Sequence, residues 1–236
     1  MRLLFAPTTA RRSRGRAAVW YRRHARSRHV PQLVNLTPFA AELLPAMDRE
    51  DEDLALVVVA GRFALPPAGR PRIDPPAVHE QQLPVRIADE HWGDPATSSL
   101  RYEGQASPTR PGTDIYLVGH AWAPGGRPAP RAQVALRVGP CQRGAVVFGE
   151  RYWREGLGGL QPSSPVPFTQ LPIVYERCFG GRIESSSSAV AEASDRNPVG
   201  RGLLARPRQA AGELLPNFED PNRLIATPSD HPPPQG

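Results

Sequence analysis

Proline and glycine interrupt this chain so often that a long helix has little room to form. The sequence holds 29 prolines and 21 glycines, together about a fifth of its 236 residues. Proline lacks a backbone donor and clashes with the preceding helical turn, and the residue before it favours extended conformations. Glycine favours turns that need positive φ angles. We therefore expect short strands joined by many turns and loops.

Several apolar runs between these breaks have the composition and period of β-strands. The run LALVVVAGRF at residues 54–63 is short and rich in β-branched residues, which favours a buried strand. Residues 132–138 alternate apolar with polar side chains, and residues 145–151 follow across a glycine-bounded gap, which predicts a β-hairpin. Further strands are predicted around residue 85, at 115–122 and at 171–179. The pattern predicts an all-β fold, a sandwich or open barrel of short antiparallel strands with long Pro/Gly-rich loops.

Positive charge is concentrated at the N-terminus. All 29 basic residues are arginine, and nine of them precede residue 31, where no acidic residue occurs. The sequence predicts a disordered Arg-rich arm over residues 1–30 and a β-rich domain over residues 31–236. Charge alone can attract nucleic acid or an anionic membrane. The arm shows no helical periodicity and no interleaved aromatic residues, so we expect no specific nucleic-acid site.

Membrane insertion and export are not predicted. The longest apolar run, residues 54–60, is far shorter than the roughly 20 residues of a spanning helix. The apolar clusters near the N-terminus are also shorter than the core of about 7–15 residues that a secretory signal requires. We therefore expect a cytoplasmic protein. Cys141 and Cys178 are too few to form a zinc site by themselves and are expected to be buried thiols.

Histidine and carboxylate residues are numerous enough for an acid–base or metal centre. The candidates are His79, His91, His120, Asp89, Glu90 and Asp114. They lack the HExxH spacing, and the chain has no GxSxG motif, so neither a catalytic nor a metal site is predicted. A hydrolase or other enzyme with a His/Asp site remains an alternative. A carbohydrate-binding β module is another, with Trp92, Trp122 and Trp153 as the available rings.

Charged residues inside apolar strand patterns form the most informative group. Arg101 and Glu103 flank Tyr102, and Glu176 and Arg177 lie within IVYERCFGG. A charge on a buried strand is costly unless it is paired, so these residues are expected to form ion pairs or line a polar groove. An edge strand with its charges facing water is the alternative interpretation.

Seven short motifs, in the same order, resemble one bacterial family. They are VNLTPF at 34–39, SSLRYE at 98–103, RPGTDIYLVGHAWAPGGRP at 110–128, FGERYW at 148–153, PIVYERCFGG at 172–181, NPVGRG at 197–202 and LPNFEDP at 215–221. The family bears the label of a domain of unknown function and is regarded as adaptor chaperones of type VI secretion. The resemblance covers about residues 33–233. Relatives usually continue further, so the domain is expected to be incomplete at its C-terminal end.

The resemblance implies a non-enzymatic adaptor without a cofactor. Such adaptors are thought to bind a secreted effector, often one with a PAAR tip domain, and to help seat it on the VgrG spike. The candidate partner-binding residues lie in the motifs and are Tyr102, Asp114, His120, Trp122, Glu176, Arg177 and Arg201. For the 110–128 motif, specifying the fold is the alternative to binding a partner, because its alternating apolar faces suit a strand buried on both sides. NPVGRG is expected to be a loop that leaves Arg201 accessible.

Overall fold

A computed structural model of the chain describes residues 31–64, 76–107, 112–183 and 192–230. These residues form short strands and 3₁₀ helices, with no α-helix among them, so the predicted all-β class is confirmed. The strands are β1 (Ala40–Met47), β2 (Asp53–Ala60), β3 (Glu90–His91), β4 (Leu100–Tyr102), β5 (His120–Trp122), β6 (Arg131–Val138), β7 (Cys141–Phe148), β8 (Trp153–Gly156), β9 (Gly159–Pro162), β10 (Gln170–Pro172), β11 (Phe179–Gly180), β12 (Arg182–Ile183), β13 (Glu192–Ala193), β14 (Arg201–Gly202) and β15 (Phe218–Glu219). The 3₁₀ helices are Pro124–Gly126, Tyr175–Arg177 and Pro207–Gln209.

The described chain divides into two compact units. The first unit contains the described residues of His91–Arg101 and Ile115–Gly236. The second contains residues 31–90, as far as they are described, and those of Tyr102–Asp114. The arm over residues 1–30 lies outside the described residues, so the division at residue 30 stays a prediction.

A three-stranded antiparallel sheet is the main sheet of the first unit. Strand β7 lies in its centre, with β6 on one side and β15 on the other. Val138 pairs with Cys141, so only two residues, Gly139 and Pro140, close the β6–β7 hairpin. Gly139 has a φ of 56°, which a tight hairpin turn requires and glycine adopts readily. The predicted hairpin is confirmed, but its loop is shorter than expected because residues 141–144 continue the ladder.

Two apolar clusters form the core of the first unit. One packs the inner faces of β5, β6, β7, β10 and β15, and its members are Ala121, Ala123, Ala132, Val147, Phe168, Leu171 and Phe218. The other contains Trp153, Ala210, Leu215 and Ile225. Trp153 is only 2% exposed, so it is a core residue and not a platform for a sugar. Residues 215–219 are all buried and include members of both clusters.

Three of the predicted strands differ from the structure in extent. Only His120–Trp122 is a strand within residues 115–122, so the motif is not a long strand buried on both sides. Residues 82–87 form no strand, because Arg86 pairs its backbone with Gln105 rather than with a neighbouring strand. Residues 171–179 are interrupted by the 3₁₀ helix Tyr175–Arg177. Glu176 and Arg177 therefore do not lie on a strand.

In the second unit, β1 and β2 pair antiparallel over their whole length. The predicted strand in LALVVVAGRF is confirmed as β2, but it is not buried, since Val57 and Val59 are 48% and 56% exposed. Strand β2 pairs with β1 alone among the described strands. No helix in the described part of the chain is long and apolar enough to span a bilayer.

Gly149 provides a test of the packing in the first unit. A β-carbon at this position would lie 1.7 Å from the Val166 carbonyl oxygen, which is backbone and cannot simply turn aside. We expect Gly149→Ala to lower the free energy of unfolding by about 3 kcal/mol through overpacking. Gly158 has nothing within 4 Å of its β-carbon position, so Gly158→Ala is the matched control. Equal urea midpoints for the two variants would contradict the close approach of residues 149 and 166.

Candidate partner-binding site

Two arginine side chains share one carboxylate in the first unit. Arg177 donates from Nη1 to Oε1 of Glu150 at 2.5 Å. Arg201 donates from Nη1 to Oε2 of the same group at 2.9 Å, and its Nη2 lies 3.3 Å from Oε1. The three side chains together carry one net positive charge. We call Glu150, Arg177, Arg201 and Asn217 the arginine cluster.

Asn217 joins the parts of this cluster. Its Oδ1 accepts hydrogen bonds from Arg177 Nη1, at 2.8 Å, and from Arg201 Nη2. Its Nδ2 donates to the Phe148 carbonyl at 2.9 Å, and its backbone N–H donates to the Arg177 carbonyl at 2.8 Å. Its own carbonyl accepts from the Phe148 N–H. One fully buried amide residue thus holds the end of β7 and both guanidinium groups in a fixed arrangement.

The local backbone explains why these arginines meet. Arg177 is the last residue of the 3₁₀ helix Tyr175–Arg177, which turns the chain between β10 and β11. Arg201 begins β14, which pairs parallel with β11, and its N–H donates to the Cys178 carbonyl at 3.0 Å. Asn197 supports the same turn, since its Nδ2 donates to the carbonyls of Tyr175 and Phe179. The expectation that Arg201 lies on an accessible loop is wrong, because it is strand-bound and 19% exposed.

A second ion pair in the same unit is closed to solvent. Arg151 pairs with Glu219, and their side chains are 5% and 1% exposed. The Arg151 guanidinium also lies 3.8 Å from the centre of the Phe148 ring, a cation–π contact. Glu219 accepts from the Ile225 N–H through its other oxygen. By contrast, the Glu150 side chain is 41% exposed, so the arginine cluster reaches the surface and the Arg151–Glu219 pair does not.

The electrostatic environment of Glu150 favours its ionised form. Partial burial alone would raise the pKa of this carboxyl. The hydrogen bonds and positive charges of Arg201 and Arg177 outweigh that effect and lower the pKa below its ordinary value. Because the folded-state pKa is lowered, the ionised carboxylate stabilises the fold above the ordinary glutamate pKa. That stabilisation is lost as the pH falls through the lower folded-state pKa.

Glu176 binds a different partner from Arg177, its neighbour in the sequence. Its Oε1 accepts from the Ser99 N–H at 2.7 Å, and its Oε2 accepts from the Ser99 Oγ at 2.8 Å. Ser99 is buried and belongs to the SSLRYE motif. Glu176 therefore fixes the 98–100 segment onto the 3₁₀ helix, and it does not join the arginine cluster.

His120 and Trp122 lie on the exposed face of β5. Trp122 is 60% exposed, whereas Ala121 between them is 0% exposed and lies in the core. Strand β10 pairs along β5, with Trp122 opposite Gln170 and His120 opposite Pro172. The strand thus presents an aromatic ring and an imidazole on a backbone that is held by a neighbouring strand and by the core.

The remaining predicted residues, Tyr102 and Asp114, belong to the second unit. The Arg86 guanidinium lies 4.1 Å from the centre of the Tyr102 ring. Asp114 is half-buried. The structure therefore brings Arg177 and Arg201 together on Glu150, assigns Glu176 to Ser99, and leaves His120 and Trp122 on an exposed strand face.

Within the described ranges, no group of three or more His, Cys, Asp or Glu side chains could hold a metal ion. The Nδ1 of His79 accepts from the Gln81 N–H at 3.0 Å, a local turn contact. His79 belongs to the second unit, whereas His91 and His120 belong to the first. Cys141 and Cys178 are half-buried free thiols. Burial raises the pKa of the Cys178 thiol to about 11, so it is protonated near neutral pH.

Sequence reasoning missed Glu150 and Asn217. Both lie inside motifs that carried the family resemblance, FGERYW and LPNFEDP. The arginine cluster joins these two motifs to PIVYERCFGG and NPVGRG, which supply Arg177 and Arg201. The motifs could thus have indicated Glu150 and Asn217 as candidate residues. They could not indicate which residues pair, because those contacts form only in the tertiary structure.

The fold and this site define an all-β protein with a cluster of two arginines on one shared carboxylate. The family described as "Uncharacterized protein conserved in bacteria (DUF2169)" matches residues 50–236, and the chain belongs to this family. No curated protein and no solved structure matches the chain.

Acid titration tests the Glu150 contact. We expect Glu150→Gln to be less stable than wild type at pH 7, because two guanidinium groups lose their carboxylate partner. The difference in unfolding free energy between the two proteins should become smaller as the pH falls through the folded-state pKa of Glu150. At that pH the wild-type carboxylate is protonated and, like the glutamine, carries no charge. Glu155→Gln, at an exposed position on β8, is the control. Urea unfolding at several pH values measures the stability of wild type and of both variants. If the stability difference between wild type and Glu150→Gln did not depend on pH, the charge of Glu150 would not be its cause.

Asn217→Ala tests the amide that joins the cluster. The change removes the donor to the Phe148 carbonyl and the acceptor of both guanidinium groups. Each buried polar group left unpaired costs about 1–3 kcal/mol, so a loss of about 3 kcal/mol is expected. Asn222→Ala, at an exposed position, should change stability by less than about 0.5 kcal/mol. Similar thermal midpoints for the two variants would show that the Asn217 side chain does not stabilise the fold as expected.

Proposed function

We propose that this chain is a non-enzymatic cytoplasmic adaptor that binds a secreted effector protein of a type VI secretion system. In this proposal it helps to load the effector, one that can carry a PAAR domain, onto the VgrG spike. The protein binds and releases another protein and performs no chemical step. It requires no cofactor, no nucleic acid and no insertion into a membrane.

The observation that carries the proposal is the exposed Trp122 on β5. Its ring is 60% exposed while Ala121 beside it is fully buried, so the backbone cannot turn the ring inward without breaking the core. Tryptophan is enriched among the residues that dominate binding energies at protein interfaces. A rigid element that presents such a ring loses little entropy when a partner binds. These properties favour a protein-binding surface.

The arginine cluster supplies a second feature that suits protein binding. Arg177 and Arg201 share the single carboxylate of Glu150, which leaves one net positive charge on two side chains that are 28% and 19% exposed. A guanidinium group can bind a carboxylate through two parallel hydrogen bonds. An acidic side chain of an effector is therefore the ligand that the cluster would accept.

The kind of partner comes from the ordered motifs and not from the geometry. The chain belongs to a bacterial family whose description names no function. The seven motifs resemble adaptor chaperones of type VI secretion, and four of them meet at the arginine cluster. The proposal therefore joins a surface chemistry found in this chain to the partner class that the resemblance implies.

A carbohydrate-binding module is a second candidate, favoured by the same exposed ring. Indole rings stack on sugar faces, and Trp92 is also partly exposed in the first unit. The Arg101 guanidinium lies 4.6 Å from the centre of the Trp92 ring, however, so that ring already has a cation partner. Trp122 is then the ring on which a sugar-binding function would depend.

Co-expression with the proteins encoded by the genes beside this one tests the proposal. We expect wild type to co-purify with an effector, and Trp122→Ala to weaken that complex by about 30-fold or more, the effect of losing one dominant interface residue. Leu157 is fully exposed at the β8–β9 turn of the same unit, so Leu157→Ala is the control and should bind like wild type. Circular dichroism should show an unchanged fold for both variants.

The outcomes separate the two candidates. Failure of wild type to bind any neighbouring effector contradicts the adaptor proposal. Binding to an oligosaccharide array that is lost in Trp122→Ala would replace it with the carbohydrate-binding module. Equal effector capture by wild type and Trp122→Ala would show that Trp122 on β5 is not part of the binding surface.

A further inference from the structure

The paired strands β1 and β2 of the second unit form a two-stranded ribbon with open edges. They pair over eight positions, from Ala40 opposite Ala60 to Met47 opposite Asp53. Neither strand pairs with a third strand among the described residues. An edge strand directs every second pair of backbone N–H and C=O groups outward, where another strand can bind them.

The two edges of the ribbon are not equivalent. Strand β1 carries Glu42 and Pro45, and proline has no N–H to donate. Strand β2 continues from Leu54 to Ala60 without a charge, a proline or a glycine. Charges and prolines are the usual means by which proteins prevent pairing at an edge. Strand β2 therefore has the edge that can accept a further strand.

One face of the ribbon adds an exposed apolar surface to this edge. Val57 lies opposite Leu43, and Val59 lies opposite Ala41, so these side chains share a face. Val57 and Val59 are about half exposed, as is Met47 at the end of the same row. An added strand with apolar residues at alternate positions would lie beside this row and contact its side chains while it pairs with the backbone.

The turn that leads into β2 is strongly acidic. Residues 48–53 contain five carboxylates and one guanidinium. The Asp48 side chain accepts from the N–H groups of Glu50 and Glu52, at 2.9 and 2.8 Å, and so shapes the turn. Glu50, Asp51 and Asp53 are exposed. A strand that binds beside β2 would therefore gain from basic residues at the end that lies next to this turn.

We propose that the β2 edge is a docking site for an extended segment of a partner protein, which adds to the ribbon as a third strand. The segment has apolar residues at alternate positions and arginine or lysine at the end beside the acidic turn. A second copy of this chain fits less well, because it brings a further acidic turn to the contact. The proposal uses residues of the second unit alone and does not depend on the effector-loading function.

The direct test uses fluorescein-labelled ten-residue peptides and the full chain. Two peptides alternate valine with threonine and carry two arginines at the N-terminal or at the C-terminal end, which covers both strand directions. Each of these two peptides has two controls. One is a scrambled peptide of the same composition, which lacks the alternation, and the other has glutamates in place of the arginines. We expect fluorescence anisotropy to show that one arginine peptide binds at least about tenfold more tightly than the scrambled and glutamate forms.

Variants of the chain locate the binding surface. Val57→Lys combined with Val59→Lys should weaken binding by about tenfold or more, because both change the exposed row. Leu83→Lys alters an exposed apolar residue of the same unit outside the ribbon and should bind like wild type. Combined Glu50→Gln, Asp51→Asn and Asp53→Asn substitutions should weaken binding and reduce its salt dependence. Thermal unfolding checks that each variant is folded.

Three outcomes would overturn the proposal. The first is that neither arginine peptide binds more tightly than its scrambled form. The second is that methylation of alternate backbone nitrogens of the peptide leaves binding unchanged, since strand addition needs those N–H groups. The third is that sedimentation shows a wild-type dimer that Val57→Lys with Val59→Lys converts to monomer, because the edge is then covered by a second copy.

Discussion

The hydrogen bonds of Asn217 hold together the first unit's sheet and its charged cluster. This residue has no exposed surface, and both its backbone and its side chain bind to Phe148 at the end of β7. Its Oδ1 accepts from Arg177 and Arg201, whose side chains come from separate parts of the chain. A hydrophobic residue could fill the same space, but it would remove the side-chain donor to the Phe148 carbonyl and one acceptor of each guanidinium group. The position therefore requires an amide.

The two ion-pair systems of this unit differ in what they can do. Arg151 and Glu219 are desolvated and balanced in charge, so they contribute to the specificity of the fold and are closed to a ligand. Glu150 is shared by two arginines and is partly exposed, so this system carries one net positive charge and is less fully desolvated. The lowered pKa of Glu150 keeps its carboxylate ionised at neutral pH. The ionised carboxylate thus holds both arginine side chains in a fixed orientation.

The exposed apolar side chains of the two proposed binding surfaces lie on paired strands. Trp122 stands on β5, whose other face enters the core, and Val57 and Val59 stand on β2 of the ribbon. Paired strands fix the direction of a side chain, so binding costs less conformational entropy than it would on a loop. Both proposals therefore place binding on a strand: on β5 in the first unit and on β2 in the second.

The sequence alone determined the all-β class, the β6–β7 hairpin and the presence of β2, because proline, glycine and the two-residue apolar period act locally. It also selected Arg177 and Arg201 as candidate residues. It could not determine that both bind Glu150, or that Arg201 lies on a strand, because those contacts join residues 27 and 51 positions apart. The exposure of Val57 and Val59 was likewise decided by tertiary structure. A local pattern identifies a strand, but only the packing of neighbouring elements determines which of its faces is covered.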